Sequence, residues 1–219
     1  SSAENGEITL NEQTIKHVGG PYICAETSKL DIELHPLEAV YVGSESSQLC
    51  KADEDPCSAG NTISHVHEET SPGAPATLLN GLGNVTCNVL FLGESLGAGK
   101  PLVIHGNFTY SNCLRNGQAC TVTEISTDSL LGVLRTGHET ASVTFESEFN
   151  VHCGLFIKCT YKGEGLEATA KGSLASSAEN GEITLNEQTI KHVGGPYICA
   201  ETSKLDIELH PLEAVYVST

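Results

Sequence analysis

The chain has 219 residues, a formal net charge of −17, 9 cysteines, and neither tryptophan nor methionine. So acidic a chain is repelled by nucleic acid and by anionic membranes, and no apolar run approaches the ~18 residues that a spanning helix needs. Few Lys and Arg, abundant Ser, Thr, Val and Gly, and spaced cysteines predict a secreted, disulfide-bonded β-protein, and the missing initiator and signal sequence predict a mature or excised fragment.

Residues 1–42 recur without change as residues 176–217. Each copy holds seven acids and two lysines, so the two copies carry −10 of the −17. Alternation predicts strands at residues 7–10, 22–24 and 30–34, and again in the second copy. One copy is near the lower size limit for folding alone, which favours a single β domain, residues 49–219, with a surplus segment at residues 1–42 over two small domains. Residues 43–48 (GSESSQ) read as a flexible linker.

Next comes a turn-rich acidic loop between Cys50 and Cys57, with Asp53-Glu54-Asp55 inside it. It lacks the length, the glycine and the distal glutamate of a calcium loop and reads as a solvated turn. His65 and His67 share one face of an extended segment and are weak metal candidates; the pattern is not H-E-x-x-H, because Ser71 holds the last position. Residues 75–82 are expected to form one helical turn, and residues 85–92 a core strand containing Cys87. Gly93-Glu94-Ser95-Leu96-Gly97 matches the nucleophile-elbow pattern, but Ala98-Gly99-Lys100-Pro101 leads into another strand where an elbow needs a helix. A Gly-rich hairpin loop is therefore expected, and Ser95 is not expected to be catalytic.

Further strands are expected at residues 102–110, 120–126, 141–152, 155–161 and 166–170. Asn84 and Asn107 begin glycosylation sequons. Asn116-Gly117 is a two-residue hairpin signal, and counting outward from it sets Cys113 opposite Cys120. Short, evenly spaced strands predict an all-β antiparallel sandwich or partly open barrel, stapled by disulfides. Local spacing favours Cys50–Cys57, Cys113–Cys120 and Cys153–Cys159, among the 105 connectivities that eight cysteines allow. Cys87 then bonds one of Cys24 and Cys199, the same residue in the two copies, and the other is surplus; the alternative is that Cys24 and Cys199 pair with each other.

Gly83-Asn-Val-Thr-Cys-Asn-Val-Leu-Phe91, His105-Gly-Asn-Phe-Thr-Tyr-Ser-Asn-Cys113 and Tyr161-Lys-Gly-Glu-Gly-Leu-Glu-Ala-Thr-Ala-Lys-Gly172 are similar to segments of small secreted cysteine-containing actinobacterial proteins of unassigned activity. The resemblance runs from about Leu49 to the end. It implies that the second copy is such a protein's own C-terminal segment and the first an addition, and it brings no catalytic residues.

The expected function is structural: a secreted subunit that associates with itself by strand exchange through residues 1–42 or 176–217, extending into a fibre if the exchange propagates. It needs no cofactor. The alternatives are an extracellular ligand- or metal-binding module in an engineered or excised tandem, and a secreted serine hydrolase using Ser95.

Overall fold

The computed structural model describes residues 8–16, 27–34, 46–79, 83–126, 128–137, 140–172 and 181–218. The chain divides into two compact units, Ser1–Ser44 and Glu45–Thr219. In the first, β1 (Ile8–Lys16) pairs antiparallel with β2 (Thr27–Leu34).

The second unit is all-β. Its strands are β3 (Gln48–Cys50), β4 (His65–Glu69), β5 (Ala76–Leu79), β6 (Val85–Ser95), β7 (Leu102–Arg115), β8 (Gln118–Glu124), β9 (Ser129–Arg135), β10 (Thr140–Cys153), β11 (Ile157–Lys171), β12 (Glu182–Gly194), β13 (Thr202–Pro211) and β14 (Tyr216–Ser218). All pairings are antiparallel, and they close into an eight-stranded barrel with extra strands. Neither a sandwich nor an open barrel forms, because two positions of the ring are each filled by a broken strand. Between β7 and β10 lie β8 and β9, end to end. Between β6 and β13 lie β5 and β4. Residues 76–79 thus form β5 in place of the expected helical turn.

Where a strand breaks, its neighbours' backbone groups need other partners. At one break the Glu124 carboxylate accepts from the Phe108 N–H at 2.7 Å and from the Ser129 hydroxyl at 2.5 Å. At the other, Thr70 exchanges two bonds with Val89: its N–H donates to the Val89 carbonyl at 2.9 Å, and its hydroxyl accepts the Val89 N–H at 3.0 Å.

Alternation along each strand sends the apolar set inward. On β10, Ala141, Val143, Phe145, Phe149 and Val151 are buried, while Thr140, Thr144, Glu146, Asn150 and His152 face water. An eight-stranded barrel is just wide enough to be filled by side chains. Phe91 lies at the centre of this one, with its ring 4.8 Å from that of Phe108. It fits because the facing pair Gly93 and Gly106 have no Cβ: a methyl at either would collide with the Phe91 ring.

The disulfides are Cys50–Cys57, Cys87–Cys113, Cys120–Cys153 and Cys159–Cys199. Only the first follows the local expectation. The Asn116-Gly117 turn forms with the expected register, Arg115 opposite Gln118 and Leu114 opposite Ala119. Each strand of a ring has two neighbours, however, and both cysteines use the other one. Cys113 reaches Cys87 on β6, and Cys120 bonds its direct register partner Cys153 on β10. Cys159 then bonds Cys199, leaving Cys24, which lies outside the described residues, as the ninth cysteine.

The expected linker also differs at its end. Ser47 is buried, exchanges backbone bonds with Gly99 at 2.7 and 2.9 Å, and accepts the Arg135 N–H through its hydroxyl, while Gln48 begins β3. These bonds fasten residues 47–50 across the barrel end opposite the three long-range disulfides.

Gly106→Ala should destabilise the barrel by about 1–3 kcal/mol through overpacking against Phe91 and the Leu92 carbonyl. Urea unfolding measures it; an unchanged midpoint would contradict this packing.

Candidate functional site

Ser95 is buried at the end of β6. Its hydroxyl donates to the Gly97 carbonyl at 3.1 Å and lies 3.3 Å from the Gly97 N–H, and the chain turns directly into β7 without a helix. The hydroxyl thus serves its own turn. His65 and His67 both stand on the exposed face of β4; His65 meets Ser64 at 3.0 Å and Glu94 at 3.9 Å, and among the described residues no metal-ligating group of three forms around the pair. In the acidic loop, Glu54 accepts from the Ser58 N–H and the Asn61 amide, and these bonds hold its carboxyl below its usual range. Asp55 pairs with Arg135 and accepts from Ser218. That loop fastens the chain across the barrel end. Asn84 and Asn107 are both exposed.

The arrangement with a distinctive geometry is the β12–β13 hairpin and the slot it fills. Its inner side chains Leu185, Ile190, Leu205, Ile207 and Leu209 are all buried. Burying five such residues contributes roughly 10 kcal/mol before entropy is counted. Its ladders to the rest of the ring are short. β12 meets β11 in two runs, Thr160–Lys162 and Thr169–Lys171, on either side of a gap. β13 meets β5 at Lys204–Asp206 and β4 only at His210 and Pro211. Among the described residues, three polar atoms at this boundary are buried without a hydrogen-bond partner: His192 Nε2 and Ser203 Oγ on the hairpin, and Glu68 Oε2 on β4, opposite Pro211. The fit is good in apolar area and poor in polar satisfaction.

β1–β2 repeats that hairpin pair for pair. Ile8↔Leu34, Leu10↔Ile32, Gln13↔Leu30 and Lys16↔Thr27 reproduce Ile183↔Leu209, Leu185↔Ile207, Gln188↔Leu205 and Lys191↔Thr202. Both hairpins carry the same register shift, between Leu10 and Gln13 in one and between Leu185 and Gln188 in the other. The chain therefore holds two hairpins of one geometry and one slot in its barrel.

Glu68 is 1 % exposed and faces the interior beneath the end of β13. Burial alone pushes its carboxyl up to about 9, so the barrel holds it neutral. Glu182, Glu208 and His210 gather on the outer face of the same hairpin: His210 Nε2 lies 2.9 Å from Glu208 and its Nδ1 3.8 Å from Glu182. Lys171 of β11 approaches Glu182 at 3.9 Å, so the cluster ties hairpin to slot. Sequence reading missed both features, because only strand pairing brings the cluster together and only ring closure buries Glu68.

Further findings bound the function. Among the described residues no helix is long and apolar enough to cross a membrane. The barrel is filled mainly by apolar side chains, while its outer wall mixes polar residues with the exposed Leu92, Val103, Leu130 and Leu134. Four disulfides mark an oxidising environment. No protein-family model, curated protein or solved structure matches the chain.

The Glu68 geometry makes stability pH-dependent. The folded barrel holds one more proton than the unfolded chain between the ordinary carboxyl value of 4.5 and about 9. Stability is therefore complete below that window and is lost as pH rises through it. Glu68→Gln should flatten this slope and raise stability at about pH 7 by on the order of 2–3 kcal/mol. Parallel urea titrations of the two proteins from about pH 5 to about pH 8 check it; equal slopes would show that Glu68 does not set the dependence.

Proposed function

We propose that the chain is a secreted structural subunit that associates with its own kind by exchanging its duplicated hairpin. The observation that carries this reading is the repeated register: β1–β2 has the pairing and the bulge of the hairpin that closes the barrel. A hairpin standing alone is marginal in water, and the partner best suited to it is a slot already shaped for the same sequence.

Exchange balances chemically without an added oxidant. Cys24 stands in the first copy where Cys199 stands in the second. When the first copy enters a slot, the Cys24 thiolate attacks Cys159 Sγ. A Cys24–Cys159 bond forms, and Cys199 leaves as a thiolate.

The barrel end favours the same exchange. Tyr216, Val217 and Ser218 pair with Cys50, Leu49 and Gln48. By sequence, Tyr41, Val42 and Gly43 offer the same run, less one hydroxymethyl side chain, joined to Gln48 by residues 44–47. A connection of four residues suits an antiparallel hairpin. A barrel closed by its own first copy is a circular permutant of the one described, and it leaves residues 176–219 to donate to a neighbour. Identical segments have identical intrinsic affinity, so effective concentration chooses between them.

Size-exclusion chromatography with light scattering tests the reading on the full chain beside residues 43–219 alone. The full chain should form concentration-dependent oligomers, joined through Cys24 or Cys199 on non-reducing gels. The shortened chain should be a monomer with the same circular dichroism. If the shortened chain associates as well as the full one, the duplicated hairpin is not the assembly device.

A further inference from the structure

The end of the barrel that carries the three long-range disulfides presents exposed apolar tips beside cationic side chains. Three turns meet there: the β7–β8 turn at Asn116-Gly117, the β10–β11 turn at Gly154-Leu155-Phe156, and the β12–β13 loop at residues 195–201. The last two lie side by side. Cys159 and Cys199 join them, and Gly195 sits so close to the Lys158 carbonyl that a Cβ there would overlap it.

Their tips are apolar and stand in water. Leu155 is 84 % exposed, Phe156 79 %, Tyr197 101 % and Ile198 43 %. Disulfides hold both legs of the Leu155-Phe156 turn, Cys153 to Cys120 and Cys159 to Cys199, so the tips are presented with little conformational entropy left to lose. Just behind them the outer face forms a groove of about 390 Å³, lined by Thr121, Thr123, Asn150, His152, Lys158 and Thr160.

The charge also changes sign. Residues 112–120, 150–160 and 191–202 hold Arg115, Lys158 and Lys191 against the single acid Glu201, in a chain whose net charge is −17. Chain-wide charge predicts repulsion from anionic surfaces. At physiological ionic strength, however, charges interact over only about 8 Å, so the rim is governed by its own cations.

We propose that this rim docks on an anionic lipid surface. Leu155, Phe156, Tyr197 and Ile198 enter the interface between headgroups and acyl chains. Lys158 and His152 meet a headgroup phosphate at the mouth of the groove, with the hydroxyls of Thr121, Thr123 and Thr160 and the Asn150 amide beside it. Protruding apolar tips backed by cations are what an interfacial anchor needs, and the charge complementarity selects anionic headgroups. The barrel wall stays in water. The inference does not depend on which copy closes the barrel, since residues 20–26 repeat residues 195–201 in sequence.

The test is co-sedimentation of the intact, oxidised full chain with phosphatidylcholine vesicles, with and without phosphatidylglycerol. Binding should need phosphatidylglycerol and weaken with added salt. The double variant Leu155→Ser/Phe156→Ser should lose at least about tenfold in vesicle affinity, with unchanged circular dichroism because both side chains are exposed. Lys158→Glu should abolish the preference for phosphatidylglycerol. The proposal is overturned if the wild-type chain does not sediment with anionic vesicles, or if the double variant binds them equally well. It is also overturned if the double variant changes the oligomeric state in the absence of lipid, which would make the rim a contact between copies of the chain.

Discussion

Closure of the ring is the constraint on which the rest of this structure depends. A β-strand satisfies its backbone only when it has a neighbour on each side, and a closed barrel provides one for every strand. Here closure rests on one element, the β12–β13 hairpin, which joins β11 to β4 and β5. Remove it and the edges of β11 and of the broken strand β4–β5 are left with unpaired donors and acceptors. The same requirement explains the interior polar groups. Glu124 and Thr70 sit inside the wall because broken strands leave backbone groups that only a side chain can satisfy. Burial raises the Glu124 carboxyl above its usual range while its two donors pull it down, and burial followed by the nearby Glu124 charge raises the Tyr110 phenol.

The barrel's two ends are built by different means. One is covalent: Cys87–Cys113, Cys120–Cys153 and Cys159–Cys199 close loops of 26, 33 and 40 residues, each worth about 3.5–4 kcal/mol in the chain-entropy model. The other has only the local Cys50–Cys57 disulfide and is closed by hydrogen bonds from Ser47, by the short β3–β14 pairing and by the Asp55–Arg135 ion pair. A hairpin held by a staple at its loop and by noncovalent bonds at its ends stays tied to β11 until the Cys159–Cys199 bond is broken.

Much of the fold was legible because it is local. Alternation places the long strands, Asn116-Gly117 sets the register of its turn, and the repeat is visible by inspection. The disulfide partners were not legible. Hairpin reasoning assigns each strand a single neighbour, and in a ring Cys113 and Cys120 each turn to the second. Residues 155–156 read as the start of a strand because Leu and Phe are good strand residues, whereas Gly154, at φ 62°, turns the chain and leaves both side chains in water. Glu68 reads as part of a polar surface segment, and only the alternation of β4 within a closed wall buries it. The candidate hairpin was visible as sequence, but its equivalence as structure, bulge included, was not.

The position of Cys199 has a mechanical meaning. Tension on the C-terminus first meets the short β14–β3 ladder, then the sparse pairing of β13 with β4 and β5, and stops at the Cys159–Cys199 bond. Only the chain beyond Cys199 can peel away. Those 20 residues, drawn out at roughly 3.5 Å each, span about 70 Å, while the strands that remain stay tied to one another by the long-range disulfides. The protein would behave under load as a tether with a fixed stop, yielding a set length and then holding.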